Sequence, residues 1–145
     1  MTALHLAKLE RMYLTAKVNT SIYPSTAIEI GNESAEIVME ITPDYHHALG
    51  SIHGSVYFKM LDDAAFFAVS SIVKDVFVLT QNFNIQFHRP VSDGKIIAKG
   101  QVRLKSRDFF FAEATLFNEQ GKELAVGSGN FVKSKTLLTA DIGYK

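Results

Sequence analysis

A chain of 145 residues that is 47% hydrophobic and carries no cysteine can bury one core without disulfides, and it excludes a disulfide framework, a thiolate nucleophile and a thiolate metal site. Fifteen basic and fifteen acidic side chains cancel, so the basic excess of a nucleic-acid binder is missing, although a local basic patch is not excluded. No apolar run is long enough to span a bilayer, and Lys8, Glu10 and Arg11 interrupt the place where a signal peptide would carry its apolar stretch, so the chain reads as soluble and cytoplasmic.

Leu4, Leu6, Leu9, Met12, Tyr13 and Ala16 follow helical spacing and predict a short amphipathic helix over about 3–17 that caps a core edge. Strand patterns begin at about 26. Thr26–Ile30 leads to a Gly31–Asn32 turn, after which Ala35, Ile37, Met39 and Ile41 alternate with other residues up to 42, a hairpin with one half-buried face. Pro43–Ile52 is irregular. Residues 54–71, GSVYFKMLDDAAFFAVSS, are apolar nearly all round and predict one buried helix. Strands then run over about 77–134, with turns at Ser92–Gly94, Ser106–Asp108 and Asn118–Gly121, and a loosely held tail from Lys135. Gln81, Asn82, Asn84 and Gln86 are polar for what reads as a central strand, through cross-strand hydrogen bonds or through a place at a dimer seam. The order describes a single α+β domain over 1–145, a strongly curved antiparallel sheet wrapped around one long buried helix.

The chemistry concentrates between His46 and Asp63. Asp63 pairs with Lys59 at i, i+4 and reads as a paired or solvated surface carboxylate. Asp62 falls on a different face, with Ser55, Phe58, Ala65, Phe66 and Val69, where burial of an unpaired carboxylate is costly. Two readings stand for it: a functional acid, or a structural one bonded to a loop amide or neighbouring strand. Gly54 opens the helix, where free amides favour an anion or a polarised carbonyl oxygen. An oxyanion donor two turns upstream of a candidate base suits acyl transfer or hydrolysis, with no nucleophilic triad beside it. His46, His47 and His53 lack a second cluster to complete a metal site, so no metal is assigned.

The segment GSIHGSVYFKMLDDA, set before a strand meander, resembles the hotdog-fold acyl-CoA thioesterases, in particular the phenylacetate-pathway type and the related mammalian thioesterase-superfamily proteins; the likeness covers roughly residues 20–135. The family pattern is Asn, five residues, His-Gly-Gly, and an Asp nine residues after the His. The resemblance implies that Asp62 activates water or attacks the thioester and that the Gly54 N–H polarises its carbonyl. It implies that His53 orients the helix start. Thr80, eighteen residues after Asp62, matches a hydroxyl that in the family dimer reaches the site from the partner subunit. There are departures: Ser55 replaces the second Gly, His47 stands where the Asn would be, and Asp63 follows Asp62.

The implied substrate is an acyl-CoA, with coenzyme A as part of the substrate and no separate cofactor. The implied assembly is a homodimer, which could double to a homotetramer. Phe58, Phe66 and Phe83 are expected to line the acyl pocket. Arg107 is the preferred cation for the coenzyme A phosphates, ahead of Arg89, Arg103, Lys105 and Lys133. The alternative reading is a non-catalytic acyl-CoA-binding module of the same fold.

Overall fold

The computed structural model describes residues 2–145. Two N-terminal helices, α1 (Thr2–Thr15) and α2 (Lys17–Ser21), precede the hairpin strands β1 (Ala27–Gly31) and β2 (Ser34–Glu40). The long helix α3 (Gly54–Ser70) is followed by β3 (Val76–Phe87), β4 (Lys95–Lys105), β5 (Phe109–Asn118) and β6 (Glu123–Leu137). All pairings are antiparallel, in the order β1-β2-β4-β5-β6-β3.

The sheet lays one face on α3. Ala35, Ile37 and Met39 of β2, Ile96, Ala98 and Val102 of β4, and Ala112, Ala114 and Leu116 of β5 are buried at alternating positions, as period-two strands with one dry face require. The small residues have a purpose. Ala64, Ala65 and Ala68 of α3 are wholly buried, and a Cβ on Gly100 would lie 2.3 Å from the Ala64 carbonyl oxygen. The helix backbone therefore rests directly on β4 at this point. Gly100→Ala should lower unfolding free energy by about 3 kcal/mol, the upper end for an overpacked core, because the atom it strikes is backbone that cannot rotate away. Chemical denaturation checks this, and a loss near zero would mean that α3 floats over the sheet.

Several expectations need correction. The first helix breaks at Ala16, whose ψ of 138° is extended, and resumes as α2. Asn19 Nδ2 donates to the Tyr13 carbonyl at 2.7 Å across the break. The hairpin turn is Asn32–Glu33, one residue later than the sequence suggests, with Glu33 at φ 61°.

β3 is an edge strand, not a central one, and its polar residues lie mostly exposed; of them Asn82 makes a cross-strand bond, accepting the Asn130 Nδ2–H at 3.2 Å. It also does not alternate as a single ladder. Thr80 pairs with Phe131 and Asn82 with Asn130, so Gln81 is an extra residue, a β-bulge. One inserted residue reverses the parity, and Val78 and Thr80 share the inner face with Phe83 rather than opposing it. The tail is docked: β6 continues to Leu137, and a short 3-10 turn at Ala140–Ile142 leads into Tyr144, which bonds α1 through His5. Among the described residues no helix is long and apolar enough to cross a membrane.

Candidate active site

The start of α3 is built locally. His53 is its N-cap, with φ −65° and ψ 148°. Its Nδ1 accepts the Ser55 N–H at 3.0 Å and lies 2.8 Å from the Ser55 hydroxyl, while its carbonyl accepts the Val56 N–H. An imidazole thus does the work usually given to Ser, Thr, Asp or Asn. Ser55, where the family pattern has glycine, completes this cap. With the next amides taken, the Gly54 N–H has no hydrogen-bond partner among the described residues. It points from the positive end of the helix dipole and remains available as a donor.

Gly54 lines a cavity of about 310 Å³ together with His47, Ser51, Tyr57, His88 and Arg89. His47 Nδ1 accepts the Leu49 N–H at 3.1 Å, so a neutral imidazole carries its proton on Nε2, where it can donate. The loop is held by the His46–Ile52 bridge and by Gly50 at φ 84°. His46 itself bonds the Ser92 carbonyl instead of joining His47 and His53. Among the described residues no three His, Cys, Asp or Glu side chains are placed to share a metal ion. Gly54 also borders, with His53, Ser55 and Phe58, an open groove of about 590 Å³ along β3, where the rings of Phe58 and Phe83 meet edge to face at 5.7 Å.

Asp62 lies elsewhere. It borders an apolar cavity of about 580 Å³ with Thr80, Phe66, Phe67 and Phe77. The Thr80 hydroxyl donates to Asp62 Oδ1 at 2.9 Å within the same chain. This corrects the expectation that Thr80 reaches Asp62 only from a partner. The bulge at Gln81 keeps Thr80 on the inner face, next to α3. The bond leaves Oδ2 of Asp62 unengaged by Thr80.

Burial raises the Asp62 carboxyl from 3.8 to about 6; the Thr80 bond opposes the rise, the Asp63 carboxylate adds to it and Lys59 reduces it. Asp63 is paired as the sequence suggests, with Lys59 Nζ at 2.5 Å, and it also accepts the Tyr13 hydroxyl at 2.8 Å. Burial first, then Asp63, push the Tyr13 phenol far up, so it stays a donor. Lys59 in addition lies over the rings of Tyr13 and Tyr23, at 5.0 and 4.9 Å.

The expected residues therefore fall into separate places. Asp62, Thr80 and Phe66 share one cavity; Gly54 and His47 share another; Phe58 and Phe83, together with Gly54, line the open groove and not the Asp62 cavity. Arg107 is exposed in the β4–β5 turn and lines none of the three. The residues the sequence did not point to are Met12, Tyr13, Asn19, Phe77, Thr136 and Ile142, all bordering the Asp62 cavity. Of these, Met12 and Tyr13 left a signal, by falling on the buried stripe of α1 with His5 and Leu9.

A long helix cradled by a curved antiparallel sheet defines a hotdog-fold protein, here with a free glycine amide at the helix start and a half-buried carboxylate along its length. The sequence pattern of the thioesterase superfamily matches residues 49–125, more than half of the chain, and the chain belongs to that superfamily. Among solved structures it is similar to the PaaI protein of the Escherichia coli phenylacetic acid degradation operon, at 20% identity and TM-score 0.81, covering 95% of this chain and 99% of that one. It is also similar to a conserved protein of Pseudomonas aeruginosa, at 22% identity and TM-score 0.76, over 85% and 97% of the two chains. A Haemophilus influenzae thioesterase is similar at 21% identity and TM-score 0.73, over 88% of each chain. At these identities the likeness establishes the fold. No curated protein matches the sequence.

Proposed function

We propose that this protein is an acyl-CoA thioesterase that hydrolyses the thioester with Asp62 as the base. The observation that carries the reading is Asp62 itself, a carboxylate bordering an apolar cavity and anchored through one oxygen by Thr80. Its second oxygen takes a proton from water as the water adds to the thioester carbonyl. The oxyanion so formed is stabilised by the Gly54 N–H and the dipole of α3, with His47 Nε2–H as a further donor. Collapse expels the coenzyme A thiolate, which takes the proton back, leaving a carboxylic acid. The apolar cavity takes the acyl group.

In one chain Gly54 and Asp62 cannot serve one carbonyl. Eight residues of helix separate them by about 12 Å, and they border different cavities. The complete site is therefore assembled from Asp62 and Thr80 of one protomer and Gly54 and His47 of a second. The exposed β3 edge, with Phe58 and Phe87 beside it, is the surface through which a homodimer would form. Pairing of two such dimers would give a tetramer.

The deciding experiment is thiol release from short, long and aromatic acyl-CoAs. The protein has no cysteine, so a thiol reagent reports only coenzyme A. Release supports the thioesterase; tight binding of intact acyl-CoA without release supports the binding module instead.

The pH dependence has a definite sign. The base must be ionised, so kcat/KM should rise with pH through about 6, the value at which Asp62 loses its proton. Thr80 stabilises the ionised form, so Thr80→Val should move the midpoint to higher pH. A pH–rate profile of both proteins checks this, and a midpoint unmoved by the substitution would remove Thr80 from the site.

A further inference from the structure

The wall of the Asp62 cavity is built by more than α3 and β3. Met12 and Ala16, at the end of α1, and Ile142, after β6, also border it. The segment carrying Ile142 is latched to α1. The Tyr144 hydroxyl is 2.7 Å from His5 Nδ1, and Lys8 Nζ lies 5.3 Å from the Tyr144 ring centre. His5 is itself buried, and its Nε2 is 2.9 Å from the Ser70 carbonyl at the end of α3. A carbonyl only accepts, so Nε2 carries the proton and Nδ1 of a neutral imidazole accepts from Tyr144. This line of bonds ties the segment through α1 to the central helix.

Gly143 closes the latch. Its φ is 93°, and a Cβ there would meet Thr15 Oγ1 at 2.9 Å and Met12 Cα at 3.3 Å. Ile142 is 38% exposed, so it lies at the cavity's rim and its side chain can be trimmed or enlarged without opening the core.

We infer that the segment 138–145, held on α1 by Gly143 and Tyr144, is the wall that sets acyl size, and that Ile142 determines how long or bulky an acyl group is accepted. This rests on the reading of the cavity as the acyl pocket. A fixed wall discriminates because each methylene that finds apolar cover gains about fourfold in binding, and one that does not fit gains nothing.

The test compares wild type, Ile142→Ala, Ile142→Trp and Gly143→Val on straight-chain acyl-CoAs from acetyl to palmitoyl. Thiol release gives kcat/KM, and calorimetry with the matching non-hydrolysable thioethers gives affinity. Ile142→Ala should move the optimum to longer chains, raising the long-to-short ratio by about tenfold. Ile142→Trp should move it to shorter ones, and Gly143→Val, which unlatches the segment, should follow the alanine variant. Profiles within about twofold of wild type in both Ile142 variants overturn the inference. Failure of the thioesterase reading is seen separately, as no thiol release by wild type from any member. The thioether profile then carries the same comparison, and no thioether binding by wild type also overturns the inference.

Discussion

Asp62→Asn should reduce thioester turnover by about 10²–10⁴-fold, the range expected when a general base is removed, while acyl-CoA affinity stays close to that of wild type. Asn keeps the size of Asp and an oxygen to accept the Thr80 hydroxyl, but it cannot take a proton from water. Stability provides an independent reading of the same substitution. The folded carboxyl titrates at about 6 against 3.8 for the free group, so its contribution is full below pH 3.8 and is lost as pH rises through about 6. Asn does not ionise, so the variant should be more stable than wild type at pH 8, by about 3 kcal/mol, and should lose most of that advantage at pH 4. Thiol-release kinetics and thermal melts at the two pH values check the pair. Wild-type turnover by the variant would remove Asp62 from the mechanism, whatever the melts show.

Gly54→Pro should lower kcat by about 10²–10³-fold, the usual cost of one oxyanion donor. The substitution replaces the amide hydrogen with the ring Cδ, which removes the donor and fills the place of the oxyanion, while the helix itself is little disturbed. Proline is favoured at the first position of a helix, and His53 already holds the extended conformation that a residue before proline needs, with ψ 148°. A Cβ at this position meets only the Phe87 ring, at 3.5 Å, an ordinary contact. Helix content and melting temperature should therefore hold while rate falls.

The pair of variants also tests the shared site. Neither alone should be active, but a refolded equal mixture should regain about a quarter of wild-type activity, since half the dimers are mixed and each mixed dimer has one intact site. Full activity of Gly54→Pro would mean that another donor holds the oxyanion. Inactivity of the mixture, with mixed dimers present, would mean that each site draws on one chain only.

The helix at 54–70 was legible because its apolar character and the glycine at its start act over a few residues. The Lys59–Asp63 pair was legible for the same reason: four residues of helix bring the two side chains together wherever the helix lies. β3 was misread because its side chains alternate smoothly from Phe77 to Phe87, and nothing in that alternation marks Gln81 as unpaired. The bulge exists only in the register with β6. Of the three aromatics expected together, Phe66 alone borders the Asp62 cavity, for a related cause. Phe58 and Phe66 are two turns apart on one helix, but the distance between them carries Phe58 out to the β3 groove and Phe66 into the Asp62 cavity.

By itself the sequence determined the single long buried helix, the strands on either side of it, and a glycine amide and a carboxylate two turns apart along it. These follow from local spacing, whose physics is complete within one element. Only the tertiary structure decided that β3 is the sheet's edge and that Thr80 meets Asp62 in its own chain. It also placed Gly54 and Asp62 on different cavities, and brought Tyr13 and Ile142 to the second of them. Those outcomes depend on contacts between distant stretches, such as His5 with Tyr144 across 139 residues, and no periodicity within either stretch encodes which partner the other will be.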